Sequence, residues 1–205
     1  MCGRFYVDDE TAREIEKVIR QINDKINGVP KGDICPSMEA AVLTNSAGNM
    51  CGSIKRWGFP ALQGKNLIIN ARAETVLQKK LFSESVLRRR LIIPAGGFYE
   101  WNPAKEKVTF SPLSPDKGKA PVLFMAGFYS RFEGEDRFVI LTTNANASMK
   151  DVHDRMPLTL EPNELDPWLF DDEAAKELLQ KTPSLLNKKQ NYLQETFSFS
   201  LVTPP

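Results

Sequence analysis

Short apolar or alternating segments, separated by clusters of turn-forming residues, recur along most of this chain and limit the folds that it can adopt. Segments of this kind are typical of β-strands bounded by turns. We predict strands at 40–43, 50–56, 66–70, 91–93, 98–101, 108–110, 122–129, 138–143 and 197–202. Because helical segments lie between them, the pattern predicts an α+β fold around a curled, mostly antiparallel sheet.

Residues 9–27 carry apolar side chains at spacings of three and four, which predicts an amphipathic helix with one buried face. These side chains are Ile15, Val18, Ile19, Ile22 and Ile26. Asp8 or Asp9 can cap the first turn, and Gly28 with Pro30 ends the helix. Further helices are predicted at 73–89, 146–152 and 163–180.

The length of 205 residues is enough for one sizeable domain, and we expect a single domain over 1–205. Residues 102–120 are rich in Pro, Lys, Ser and Gly, which predicts a long exposed loop. We do not interpret this loop as a linker between domains, because strand-forming residues resume at Val122.

The charge balance excludes an unspecialised, strongly basic nucleic-acid binder, since 27 Lys and Arg residues face 26 Asp and Glu residues. A local basic groove remains compatible with this balance. The N-terminus lacks the apolar stretch of a signal peptide and carries Asp8, Asp9 and Glu10 instead. No apolar stretch approaches membrane-spanning length. We therefore expect a cytoplasmic protein with no membrane partner.

The three cysteines, Cys2, Cys35 and Cys51, are an odd number at wide spacing, which argues against a disulfide framework. With His153 they supply the residue types of a Cys₃His zinc site. However, no two of the cysteines have the short sequence spacing that structural zinc sites use. We expect no metal and no cofactor.

Cys2 directly follows the initiator Met1. Methionine removal is favoured by a small second residue, so we expect the mature protein to begin at Cys2. Its α-amine would then lie two carbons from its thiol, and such an aminothiol can condense with an aldehyde to close a thiazolidine ring. Taken alone, a cysteine at this position is better explained by chance.

Three further segments carry reactive side chains. The sequence NARAET at 70–75 lies at a predicted strand-to-helix junction, where free backbone N–H groups can bind an anion; a helix cap with surface charges is the alternative. In 94–101, burial among three aromatic residues would make Glu100 a usable acid or base; the alternative is a carboxylate that points to solvent. In 152–157 stands His153, the only histidine, whose imidazole titrates near working pH unless its role is structural.

Together these segments resemble the SRAP family, the SOS-response-associated peptidase-like proteins that crosslink to abasic sites in DNA. The matching motifs, in the family's order, are MCGRF at 1–5, WGFP at 57–60, NARAET at 70–75, PAGGFYEW at 94–101, FVILTTNAN at 138–146 and HDRMP at 153–157. The chain departs from the family at Gly96, where Asp is frequent, and at Arg90, where Cys is frequent. The resemblance implies a barrel-like sheet surrounded by helices.

The resemblance also implies roles for four catalytic residues. Cys2, freed of Met1, matches the nucleophile that closes a thiazolidine on the abasic sugar and so shields the lesion. Asn70 matches the residue that orients the cysteine and the sugar. Glu100 and His153 match the acid–base residues that assist ring opening and proton transfer.

The DNA contacts that the resemblance implies involve five residues. Arg4, Arg72 and Arg155 match positions that hold phosphates flanking the lesion, while Trp57 and Pro36 would stack on exposed bases. The expected partner is single-stranded DNA that contains an abasic site, bound by a monomer.

Two other functions are compatible with the same residues. The same N-terminal cysteine would serve a cysteine peptidase or a self-processing enzyme that acts on the Met1–Cys2 bond. A lyase-type activity is also compatible with these residues. A non-catalytic reader of modified DNA would instead bind reversibly and would not depend on Cys2.

Overall fold

The computed structural model describes residues 2–21, 28–61, 64, 66–113 and 121–190. Its strands are, in chain order, β1 (Phe5–Val7), β2 (Gly32–Ile34), β3 (Glu39–Ser46), β4 (Asn49–Trp57), β5 (Phe59–Pro60), β6 (Leu67–Ile68), β7 (Asn70–Arg72), β8 (Arg90–Ala95), β9 (Gly97–Trp101), β10 (Lys107–Pro112), β11 (Leu123–Phe132), β12 (Glu135–Asn144), β13 (Arg155–Pro157), β14 (Thr159–Leu160) and β15 (Leu186–Gln190). Its α-helices are α1 (Asp9–Gln21), α2 (Ser83–Arg88), α3 (Leu165–Phe170) and α4 (Asp172–Leu178), and short 3₁₀ helices cover Ala73–Gln78 and Pro162–Glu164.

Five strands close into a ring in the order β12, β4, β3, β8, β11 and back to β12. All of these pairings are antiparallel except that of β12 with β4, which is parallel. Strand β12 closes the ring because both of its edges are paired, one with β11 and the other with β4 and β7. A closed ring leaves few free backbone groups at strand edges. The α+β, barrel-like fold is confirmed.

A second sheet, in the order β15, β10, β9, β1, β2, holds the N-terminus. Strand β1 lies between β2 and β9, with Phe5 opposite Phe98 and Tyr6 opposite Gly97. The aromatic ring of Phe5 packs against Trp57 at 5.2 Å, and Trp57 stacks on Phe138 of β12 at 6.3 Å. These buried rings join the second sheet to the barrel.

Arg90, one departure from the family pattern, fastens the C-terminal helices to the barrel. Its buried guanidinium donates to the backbone oxygen of Trp168 at 2.6 Å and to Asp172 at 2.8 Å. The Trp168 indole in turn donates to the backbone oxygen of Leu91 at 3.0 Å. The role of Arg90 is therefore in packing.

The other departure, Gly96, is explained by close approach. A Cβ at this position would lie 2.6 Å from the Tyr6 ring and 2.8 Å from the Thr11 hydroxyl. The Tyr6 side chain occupies the space that a larger residue would need.

The helix predictions hold in part. Helix α1 covers the described portion of 9–27, while Ile22 and Ile26 lie outside the described residues. The single helix predicted at 73–89 is wrong: the chain forms a 3₁₀ helix and then α2, separated by a turn. The region predicted at 163–180 contains α3 and α4. None of the described helices is long and apolar enough to span a membrane.

The helix predicted at 146–152 is also wrong, since 147–152 form turns. Single turns form here, with Lys150 donating to the backbone oxygen of Asn146 and His153 to that of Met149, but they do not follow one another in a continuous helical series. The side chain of Asn146 accepts from the backbone N–H of Ser148 and donates to the backbone oxygens of Pro183 and Ser184.

The loop prediction is correct only in part. A short strand predicted at 108–110 is confirmed as β10, which pairs with both β9 and β15. Residues 114–120 of the predicted loop lie outside the described residues, as does the predicted strand at 197–202.

Gly97 is required by the close pairing of β9 with β10. A Cβ there would lie 2.1 Å from the backbone oxygen of Phe110. Because a backbone atom cannot move away cheaply, we expect Gly97→Ala to lower the free energy of unfolding by about 3 kcal/mol or more in urea titrations. The control is Gly48→Ala, which meets open space at a φ of +83° and should cost only about 1–2 kcal/mol. Equal losses for both variants would contradict the steric explanation.

Candidate functional site

Cys2 lies at the buried end of the N-terminal segment, just before β1. The backbone oxygen of Arg4 accepts from the N–H of Tyr99 at 3.0 Å, so this segment runs alongside β9. The Cys2 side chain is fully buried, and its Sγ donates to the same Arg4 oxygen at 3.7 Å. Burial, followed by the nearby negative charge of Glu100, raises the pKa of the Cys2 thiol to about 12. The thiol is therefore protonated at neutral pH and needs a base in order to react.

Asn70, the first residue of β7, holds the same segment from the barrel side. Its Nδ2 donates to the backbone oxygen of Cys2 at 2.9 Å. Its Oδ1 is buried and has no hydrogen-bond partner among the described residues. The opposite orientation of the amide would set two oxygens against each other, so the hydrogen bond fixes which atom faces Cys2. The free Oδ1 offers an acceptor to an incoming hydroxyl or amine.

Glu100 lies in β9 and points inward, only 5% exposed. Its carboxylate is near enough to Cys2 for its charge to raise the pKa of the thiol. The solvent-facing alternative is therefore wrong. The structure brings three of the four predicted catalytic residues together: the pairing of β1 with β9 places Cys2 near Glu100, and Asn70 donates to the backbone of Cys2.

His153 stands at the entrance to β13. Its Nδ1 accepts from the backbone N–H of Arg155 at 2.9 Å and also lies 2.6 Å from Oδ1 of Asp154. The two contacts require opposite protonation of Nδ1, as acceptor and as donor. The backbone N–H is fixed by β13, whereas the Asp154 side chain is 83% exposed and can rotate. We therefore assign the Arg155 contact to the tautomer that carries its proton on Nε2, and the Asp154 contact to a ring that carries a proton on Nδ1.

Arg155 does not have the exposed guanidinium that phosphate binding requires. Its side chain is 9% exposed and forms two hydrogen bonds to Glu74, from Nη1 at 2.7 Å and from Nη2 at 2.8 Å. The same nitrogens also donate to Asn144 and to the backbone oxygen of Thr142. The prediction that Arg155 holds a phosphate is corrected: its side chain is committed to an internal ion pair.

Arg4 and Arg72, in contrast, are available at the surface. The Arg4 guanidinium lies 5.6 Å from the centre of the Trp101 ring and 3.5 Å from Asp33. Arg72 is exposed and forms no ion pair with a described residue. It borders a cleft of about 470 Å³ whose wall also includes Asn70 and Phe82. Both arginines remain candidates for phosphate contacts.

Trp57 cannot stack on a base in this structure, because it is fully buried between Phe5 and Phe138. Its indole donates to the backbone oxygen of Ile69 at 2.9 Å. Pro36 is half-buried in the turn after β2 and stays a prediction. The exposed aromatic beside the site is Trp101, which is 40% exposed. Strand alternation was the signal for it, since an inward Glu100 requires an outward Trp101.

Among the residues that the structure describes, no three His, Cys, Asp or Glu side chains are grouped so that they could hold a metal ion. The side chains that the site offers for acid–base and nucleophilic chemistry are a thiol, a buried carboxylate, an amide and an imidazole.

Comparison with known proteins identifies relatives over nearly the whole chain. The family model for SOS response associated peptidase (SRAP) matches residues 1–198. The abasic site processing protein YoaM of Bacillus subtilis is 31% identical over 192 residues, which cover 88% of this chain and 84% of that protein. The abasic site processing protein YedK of Escherichia coli is 27% identical over 186 residues, covering 86% of this chain and 83% of that protein.

A crystal structure of a Bordetella bronchiseptica protein is similar with a TM-score of 0.73 and 21% identity, covering 94% of this chain and 100% of that one. A Bacteroides thetaiotaomicron protein gives a TM-score of 0.71 at 20% identity, covering 94% of this chain and 93% of that one. At these identities the likeness shows a shared fold.

Burial of the Cys2 thiol predicts the order in which the cysteines react while Met1 is retained. Cys35 and Cys51 are only half-buried, whereas Cys2 is fully buried. We expect iodoacetamide at pH 8 to alkylate Cys35 and Cys51 about tenfold or more faster than Cys2, as followed by peptide mass mapping. Guanidinium chloride should abolish the difference. Fastest labelling at Cys2 in the folded protein would contradict the assigned burial.

Proposed function

The chain belongs to the SOS response associated peptidase (SRAP) family, and on that premise we propose that it processes abasic sites in single-stranded DNA. In this proposal Cys2, after removal of Met1, forms a covalent crosslink with the abasic sugar and shields the lesion. The observation that carries the proposal is the placement of Cys2, which is buried, hydrogen-bonded by Asn70 and faced by the charge of Glu100. The names of its bacterial relatives support abasic DNA as the substrate.

The proposed reaction needs no oxidant and no metal. The Cys2 amine attacks C1′ of the ring-opened deoxyribose, and loss of one water from the adduct gives an imine. The thiol then adds to the imine carbon, so that a C–S bond forms and the thiol proton passes to the nitrogen. The product is a thiazolidine, with one new C–N bond and one new C–S bond.

Proton transfer is the step for which the site is equipped. Because burial raises the pKa of the Cys2 thiol, the thiol keeps its proton until a base accepts it, and Glu100 is the nearby carboxylate. The same group, once protonated, can assist departure of water. The unpartnered Oδ1 of Asn70 can accept from a sugar hydroxyl. His153 acts in this scheme as the second acid–base group for sugar ring opening.

The exposed side chains around Cys2 support a single-stranded partner. Trp101 presents an aromatic face on which a base can stack, with about 1–3 kcal/mol for each stacked base. Arg4 places positive charge beside Trp101, and Arg72 places positive charge in the cleft that Asn70 also lines. An abasic nucleotide is also the easiest to extrude, because no base pair has to be broken.

The peptidase alternative gains no support from the Asn70 contact. A group that polarised the Met1–Cys2 peptide bond would donate to the carbonyl oxygen of Met1. Asn70 instead donates to the carbonyl oxygen of Cys2.

The nucleophile is tested by intact mass after mixing with an oligonucleotide from which one uracil has been excised. We expect the mature protein to gain the mass of the oligonucleotide less one water, stable to denaturation. Cys2→Ala should form no adduct, whereas the matched control Cys51→Ala should react like the unmodified chain. Equal adduct from Cys2→Ala would overturn the proposal, and binding that is lost on denaturation would favour a non-catalytic reader.

The acid–base assignments are tested by single-turnover rates of adduct formation. We expect Glu100→Gln and His153→Ala each to slow the reaction by about 10²-fold or more. Glu106→Gln is the matched control, because Glu106 lies in the neighbouring turn and bonds to Asn102 and Gln190. Unchanged rates in the first two variants would remove these roles while leaving Cys2 as the nucleophile.

A further inference from the structure

We propose that Glu74 and Arg155 form a positioning pair that fixes the two halves of the active site on either side of β12. One half is the Asn70 arm, residues 70–74, and the other is the His153 arm, residues 153–155. This inference rests on the proposed function, and it gives Arg155 a different task from the phosphate contact that the family resemblance implies.

The pair has the geometry of a rigid connection. Both terminal nitrogens of Arg155 donate to Glu74, one to each carboxylate oxygen. Paired hydrogen bonds of this kind restrict orientation as well as distance. Thr143 adds a hydrogen bond to the Glu74 carboxylate at 3.4 Å. The Arg155 hydrogen bond also holds the pKa of Glu74 below its usual value, which keeps the carboxylate charged at neutral pH.

The two arms are joined to β12 but not to each other by strand pairing. Strand β7 pairs along one edge of β12, with Arg72 opposite Thr142. Strand β13 pairs along the other edge, where Thr142 lies opposite Pro157. The Glu74–Arg155 pair crosses β12 between them, and Arg155 also donates to the backbone oxygen of Thr142 at 2.6 Å.

Each arm carries one hydrogen bond on which the chemistry depends. On the first arm, Asn70 holds the backbone oxygen of Cys2. On the second, the backbone N–H of Arg155 holds Nδ1 of His153. Loosening the pair would therefore displace both Asn70 and His153, and a displacement of about 1 Å can cost on the order of 10²-fold in rate.

A phosphate contact by Arg155 would conflict with this arrangement. A phosphate that bound the terminal nitrogens of Arg155 would have to displace Glu74 from them, at a side chain that is only 9% exposed. Arg72 is exposed and free of ion pairs with described residues, so it can serve a phosphate without that cost.

The test separates the rate of crosslinking at saturating DNA from the affinity for DNA. Arg155→Lys keeps the positive charge but loses the paired geometry. Glu74→Gln removes a negative charge. For both variants we expect a saturated rate about 10- to 100-fold lower. In a Cys2→Ala background, we expect DNA affinity and its salt dependence to be unchanged. Glu84→Gln, which breaks the exposed Glu84–Arg89 pair, should change neither.

A phosphate contact predicts the reverse pattern. Arg155→Lys would then keep the saturated rate, and Arg155→Gln would weaken DNA binding and reduce the salt slope by about one phosphate. Either result would overturn the proposal.

A readout without DNA keeps this inference separate from the proposed function. His153 is the only histidine, so its ring ¹⁵N signals are assigned without ambiguity. We expect the Nδ1 signal to shift in Arg155→Lys and Glu74→Gln, at temperatures where melting curves show both variants folded, and to stay in place in Glu84→Gln. An unmoved signal would overturn the positioning pair even if no crosslink is ever observed. Absence of adduct from the unmodified mature protein, with the signal shifted as expected, would remove only the proposed function.

Discussion

Strand β12 is paired along both edges, and this double pairing determines where the site lies. One edge carries β11 and β13, and the other carries β4 and β7. The ring closes through this strand, and the Asn70 and His153 arms leave it on opposite sides. Phe138 of β12 also stacks on Trp57, which packs against Phe5. The N-terminal segment is thereby held against the barrel by aromatic packing and by the Asn70 hydrogen bond.

Burial gives Cys2 a reactivity that differs from that of an ordinary activated cysteine. A low-pKa thiolate would attack many electrophiles, whereas the Cys2 thiol is kept protonated by burial and by the charge of Glu100. In the proposed reaction the amine acts first, so the thiol needs to lose its proton only when an imine is already beside it. This order would confine the chemistry to aldehydes that can enter the site and reach both groups.

The sequence predicted the parts of the structure that local pattern controls. The long strands β11 and β12 were predicted because each contains a continuous run of apolar residues, which is typical of a buried strand. Cys2, Asn70 and Glu100 were found through motifs, and the structure brings them together. Residues 147–152 were predicted as a helix but form turns, and the Asn146 side chain beside them bonds to distant backbone at Pro183 and Ser184. No local pattern carries that information.

Burial explains the two residue roles that sequence reasoning assigned wrongly. From sequence alone, an arginine or tryptophan within a motif is equally compatible with a DNA contact and with a place in the protein interior. Only the tertiary structure shows that Trp57 and Arg155 face inward. Conversely, Trp101 is exposed beside the site, but it was assigned no role from the sequence. Strand alternation around Glu100 could have identified it, but only once Glu100 was known to point inward.

The central claim is that the Cys2 amine and thiol both bond to the abasic sugar, and tandem mass spectrometry of the digested conjugate tests it most directly. We predict the sugar remnant on the peptide that begins at Cys2, with a mass that borohydride treatment leaves unchanged because no imine remains. A remnant on a lysine, or an N-terminal adduct that gains two hydrogens with borohydride, would contradict the ring-closed crosslink.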